Sequence, residues 1–62
     1  MSSPRATLST VSSTLDELTG RLTAEADRYA GTERDDIATD LYEIERGLRA
    51  AARRLERLID RL

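Results

Sequence analysis

The sequence contains no cysteine, histidine, tryptophan or phenylalanine, and all ten of its basic residues are arginine. Without Cys and His, the chain has no disulfide bond, no zinc site built from thiolate or imidazole ligands, and no imidazole chemistry. Tyr29 and Tyr42 are its only aromatic residues, too few for the stacking platforms that single-strand nucleic-acid binders use. Arginine in place of lysine, together with abundant alanine, indicates a high-GC bacterial genome.

The chain also lacks long apolar runs. No stretch approaches the ~20 apolar residues that a membrane span requires, and residues 1–13 lack the apolar core of a secretion signal. We therefore expect a cytoplasmic protein with no membrane partner.

Sites of chemistry are missing as well. The sequence shows no nucleophile–base pair and no phosphate loop, and a di-iron bundle would need Glu-x-x-His motifs. Asp36, Asp40 and Glu43 form an acidic stripe on one helix face, which supplies too few converging oxygens for Mg²⁺ or Ca²⁺. We interpret that stripe as a solvated face, and we expect a non-enzyme with no catalytic residue, no metal and no cofactor.

What is present is a heptad repeat of apolar residues. In the second half they recur at alternating steps of four and three, which predicts one long amphipathic helix, at Ile37, Leu41, Ile44, Leu48, Ala51, Leu55, Leu58 and Leu62. The first half shows the same spacing at Leu8, Val11, Leu15, Leu18, Leu22 and Tyr29. We call these two sets the apolar seams. Glu25 falls on the first seam, and we predict that it reaches solvent and pairs with Arg21 or Arg28.

Capping residues predict where the helices begin and end. Ser3 and Pro4 suit the N-cap and first position of one helix, Gly31 suits the left-handed residue that ends it, and Thr32 suits the next N-cap. The sequence thus predicts one all-α domain over residues 1–62. Its coiled-coil-like antiparallel hairpin has helices at about 4–30 and 33–62, joined by a tight turn at 31–32.

Folding these arms together predicts layers in which Leu18 faces Ile44 and Leu15 faces Leu48, and leaves Ile59 beyond the cover of the first arm. Ala38 and Ala52, with Ile59, widen the second stripe to one flank, which suits a four-helix bundle. The chain is also short for an independent core, so we expect a homodimer. The predicted interface residues are Leu15, Leu18, Leu22, Leu41, Tyr42, Ile44, Leu48, Ala51, Leu55, Leu58, Ile59 and Leu62.

Charge is segregated along the second arm. Residues 33–45 hold six acidic residues and one Arg, whereas residues 46–62 hold six Arg and two acidic residues. This arrangement complements the helix dipole, and it would also favour an antiparallel dimer. An arginine ridge at Arg46, Arg49, Arg53 and Arg57 is an alternative site, for nucleic acid, but the net charge of −2 makes nucleic acid the less favoured partner.

In length and hairpin form the chain resembles the Rop family of dimeric RNA-binding hairpins. Tyr29-Ala30-Gly31 is similar to the Trp-x-Gly turn of a family of secreted helical hairpins, and the short helices are similar to polyketide synthase docking segments. The chain is assigned to none of these families. We predict a dimeric protein–protein interaction module acting as a regulator, adaptor or docking element, with a partner protein helix as a further candidate partner and a Rop-like nucleic-acid binder as the alternative.

Overall fold

The computed structural model describes residues 3–62, and within them the chain is an all-α hairpin of two helices packed against each other. Helix α1 spans Pro4–Tyr29 and helix α2 spans Asp35–Asp60. The hairpin measures 49 × 18 × 9 Å along its principal axes, so it is a single layer of two helices. Met1 and Ser2, which the predicted 62-residue domain includes, lie outside the described residues.

Helix α1 begins where its capping residues predict. The Ser3 hydroxyl accepts a hydrogen bond from the backbone N–H of Ala6 at 3.1 Å, and Pro4 occupies the first turn. That bond satisfies one of the N–H groups that a helix start leaves without a partner. Residues 7–14, which are rich in Ser and Thr, are helical throughout and belong to an unbroken helix of 26 residues.

The connection between the helices is longer than the predicted two-residue turn. It covers residues 30–34, with Gly31 in the predicted left-handed conformation at φ +76°. The Gly31 N–H donates to the Asp35 carboxylate at 2.9 Å, which ties the turn to the first residue of α2. Thr32 is not the N-cap of α2 that the sequence predicts, because α2 begins later, at Asp35, with Arg34 in the N-cap position. The Thr32 hydroxyl instead accepts from the N–H of Arg34 at 3.1 Å within the turn.

The two helices meet along a row of small residues. The buried positions recur at steps of seven or fourteen, at Ser12, Thr19 and Ala26 in α1 and at Ala38, Ala52 and Ile59 in α2. We call these six residues the contact row. Thr19 remains satisfied there, because its hydroxyl donates to the carbonyl oxygen of Leu15 at 2.7 Å. Small side chains allow two helices to approach closely, which explains why this row faces the partner helix.

The contact row corrects the predicted layers. Leu18 and Ile44 do not fill the space between the helices, since they are 47% and 52% exposed. Ile59 is not beyond the cover of α1 but 8% exposed, and it shares a small cleft with Ser12. The seam and the contact row lie one residue apart and share the heptad period, so spacing alone could not show which of them faces the other helix. Side-chain size decides this, because the contact row consists mostly of small residues, which allow the helices to pack more closely.

Candidate functional site: an open apolar face

The apolar seams form one open face of the hairpin. Each residue that directly precedes a contact-row position is turned about 100° to the same side of its helix. Because the helices are antiparallel, that side is the same face of the hairpin for both. The preceding residues include Val11 and Leu18 in α1 and Ile37, Ala51 and Leu58 in α2, and most are at least 40% exposed.

Half-buried leucines connect this exposed line to the contact row. They are Leu8, Leu15, Leu22, Leu41, Leu48 and Leu55. We define the open face as Leu8, Val11, Leu15, Leu18, Leu22, Ile37, Leu41, Ile44, Leu48, Ala51, Leu55, Leu58 and Leu62. Exposed apolar side chains scattered singly are ordinary on a protein surface, whereas a continuous apolar patch marks an interaction site.

A shallow groove of about 730 Å³ runs across the open face. Leu15, Leu18 and Leu22 of α1 and Leu48 of α2 line it, so side chains of both helices contribute to one depression. Its lip carries Glu25, which accepts a hydrogen bond from Arg28 at 3.3 Å. The predicted pairing of Glu25 with Arg28 is therefore confirmed, and Arg21 is a second charged residue that lines the groove.

The opposite face of the hairpin is polar. The residues that directly follow contact-row positions are Ser13, Gly20, Asp27, Thr39, Arg53 and Asp60. On this side the Thr23 hydroxyl donates across the hairpin to Glu45, which also accepts from Arg49 Nε at 2.7 Å. The bond from Thr23, followed by that from Arg49, lowers the pKa of the Glu45 carboxyl. Glu45 lies midway between Ala38 and Ala52 in α2, seven residues from each, so it faces α1 as they do. Its carboxylate is half-buried in the contact between the helices.

A second hydrogen bond joins the helices nearer the turn. The Tyr42 hydroxyl donates to Asp27 Oδ1 at 2.5 Å, and this bond to a carboxylate is the main reason why the pKa of Tyr42 is raised. With the Thr23–Glu45 bond, it fixes the register of the two helices on the polar face. Sequence spacing did not predict either bond, because both partners lie outside the apolar pattern.

The structure brings ten of the twelve predicted interface residues together on the open face. The two that lie elsewhere are Ile59, which is buried in the contact row, and Tyr42, which is bonded to Asp27 on the polar face. Ala38 and Ala52 also differ from the prediction that they widen the stripe, because they contact α1 and not an outer helix.

The predicted arginine ridge lies along the polar side of α2, and all four of its residues are exposed. Arg49 is already paired with Glu45. Arg46, Arg49 and Arg53 therefore lie apart from the open face, beside carboxylates of the same helix such as Glu45. Arg57 differs, because it directly precedes Leu58 at the edge of that face.

A charged row borders the open face along α2. Each member directly precedes a residue of the α2 seam, and the row runs Asp36, Asp40, Glu43, Gly47, Ala50, Arg54, Arg57 and Arg61. We call this row the rim. All eight residues are exposed, and of the rim charges only Asp36 takes part in an ion pair among the residues 3–62 that the structure describes. Arg34 donates to both oxygens of Asp36 at 3.2 Å, which lowers the pKa of that carboxyl.

Within residues 3–62, neither helix is long and apolar enough to cross a membrane. No protein family, curated protein or solved structure matches the chain. The open face itself therefore carries the functional argument.

Proposed function

We propose that this protein is a small, non-enzymatic protein–protein interaction module that associates through its open face, and that the hairpin dimerises there into a four-helix bundle. The observation that carries the proposal is the placement of the seam leucines. They lie on one side of a single-layer hairpin, where Leu18, Leu58 and Leu62 are exposed and the other seam leucines are only half-buried. A second hairpin laid face to face would bury both sets of leucines, as in other four-helix bundles.

The surface area of the hairpin agrees with such an interface. The chain exposes 4820 Å², whereas a folded monomer of 6.9 kDa is expected to expose about 4000 Å². The difference, roughly 800 Å², is the area that each partner contributes to a standard protein–protein interface. Dimerisation through the open face would therefore bring the exposed area close to that of a globular protein, with a polar exterior formed by the opposite face.

The test compares two variants of α1 that each introduce one aspartate. Leu18→Asp places a carboxylate on the open face, where Leu18 is 47% exposed in the hairpin, so the cost in a single hairpin is small. In a face-to-face dimer the same carboxylate is buried in both copies without a partner, which is strongly unfavourable. Ser13→Asp introduces the same charge at an exposed position of the polar face and serves as the control.

Sedimentation equilibrium across micromolar concentrations gives the association constant of each variant, and circular dichroism gives its helicity. We expect the wild type and Ser13→Asp to be helical dimers. The dissociation constant of the Leu18→Asp dimer should be at least 100-fold higher, which corresponds to a loss of about 3 kcal/mol in the free energy of association. If Leu18→Asp and Ser13→Asp associate equally, or if the wild type is a well-folded monomer throughout, the open face is not the dimer interface.

A further inference from the structure

The rim of α2 has a symmetric charge pattern. Its steps are alternately four and three residues, and the sequence of steps reads the same from either end. Asp36 and Arg61 therefore lie at equal distances from the peptide bond between Leu48 and Arg49. The same is true of the next two acid–base pairs and of the small residues at the centre, namely Asp40 with Arg57, Glu43 with Arg54, and Gly47 with Ala50.

This symmetry has a geometric meaning for two copies of the chain. A two-fold axis that passes between the α2 helices of the two copies, perpendicular to both at the level of this centre, brings each rim position of one copy beside its symmetric counterpart on the other. Each acidic rim residue of one copy then lies beside an arginine of the second copy. Gly47 and Ala50 lie on either side of the axis. Because both residues are small, they allow the two α2 helices to approach closely there.

Other arrangements of the open faces lose this complementarity. The other way to stack two identical faces is a two-fold axis along the helices, which keeps the two α2 helices parallel but lays α2 of each copy on α1 of the other. Packing α2 of one copy on α1 of the other would oppose the rim to the equivalent row of α1. That row is mostly uncharged, consisting of Thr7, Thr10, Thr14, Glu17, Arg21, Ala24 and Arg28.

We infer that the partner of the open face is a second copy of this chain, with α2 antiparallel to α2 of that copy and the two-fold axis between Leu48 and Arg49. This inference rests on the proposed function and adds orientation and register to it. The leucines of the open face supply most of the affinity, and the six rim charges of each copy select this arrangement, because it alone places each acidic rim residue beside an arginine.

Orientation can be measured directly, because the chain has no cysteine of its own. Glu33→Cys introduces one spin-label site at an exposed residue of the turn, outside the rim. With a rise of ~1.5 Å per residue, the two labels in the antiparallel dimer lie on the order of 45 Å apart. In the arrangement with parallel α2 helices they lie within roughly 20 Å, since neighbouring helix axes are only about 10 Å apart. Double electron–electron resonance separates these distances.

A charge exchange tests the register without changing the composition of the chain. Glu43→Arg places like charges together at two symmetric positions of the antiparallel dimer, and we expect roughly tenfold weaker dimerisation at low salt. Glu43→Arg/Arg54→Glu restores both pairs with opposite signs, and its dimer should return to within about threefold of the wild type. Parallel α2 helices offer no such restoration, because residues 43 and 54 would then lie beside the row of α1 and not beside each other.

The outcomes separate this inference from the proposed function. A long label distance together with recovery in the double variant supports the antiparallel register. A dimer with a short label distance, or a double variant no tighter than Glu43→Arg, overturns the register and leaves the open face as the interface. If the wild type, Leu18→Asp and Ser13→Asp are all monomeric, both the antiparallel register and the proposed dimer interface are wrong. In 1 M salt, where the screening length is about 3 Å, the differences among the rim variants should disappear.

Discussion

Enlarging one residue of the contact row gives the sharpest test of how the two helices pack. Ala26 is 0% exposed, and Ala26→Leu adds an isopropyl group at this fully buried position between the helices. Overpacking of this kind costs ~1–3 kcal/mol. Ala26 also lies between Thr23 and Asp27, whose hydrogen bonds to α2 each contribute about 1 kcal/mol and would be weakened if the helices separated. We expect a total loss of about 2–4 kcal/mol.

In a domain of this size, 1 kcal/mol shifts Tm by roughly 4–8 °C, so the expected loss lowers Tm by at least about 10 °C. The measurement is thermal unfolding followed by far-ultraviolet circular dichroism, at one fixed protein concentration because association also shifts Tm. Ala6→Leu is the matched control, since Ala6 is exposed on the same helix and does not line the groove, and the change should cost less than about 0.5 kcal/mol. Equal Tm values for the two variants would refute the contact row.

Two further predictions concern the polar face and the turn. The folded-state pKa of Glu45 is lowered, so its charge stabilises the hairpin above the unfolded-state pKa, and this contribution is lost as the pH falls through the folded-state pKa. Urea unfolding should therefore show that Glu45→Gln is less stable than the wild type at neutral pH, with the difference shrinking in acid; a constant difference would contradict this. Gly31→Ala should cost about 1 kcal/mol because φ is positive, whereas Gly20→Ala, in the exposed interior of α1, should stabilise by up to ~1 kcal/mol, and chemical unfolding that ranks them otherwise would contradict this account.

The sequence predicted the elements of the fold through local signals. The Ser3 cap, the left-handed Gly31 and the two heptad repeats each depend on residues close together in the chain, and each is observed in the structure. The pairing of the helices was harder to predict, because the seam and the contact row have the same period and differ by one residue. Alanine at positions 38 and 52 carried the missing signal: small residues at a heptad spacing face the closest neighbour.

The candidate site was predicted in part for the same reason. Most of the proposed interface residues belong to the seam, and they share one face whichever row makes the intramolecular contact. Tyr42 differs, because its position depends on a hydrogen bond to Asp27, fifteen residues away in sequence on the other helix. Glu45 makes the central polar contact between the helices, but the sequence places it only in an acidic segment, because its partner Thr23 lies on the other helix.

The small residues of the contact row have a consequence for how the protein could evolve. The leucines of the open face belong to two helices, and the distance between the two sets depends on the side chains that separate the helix axes. A larger residue at Ala38 or Ala52 would widen the groove while leaving every surface leucine in place. Homologous chains could therefore acquire a different binding preference through substitutions that the partner never touches, and comparing only their exposed residues would miss the change.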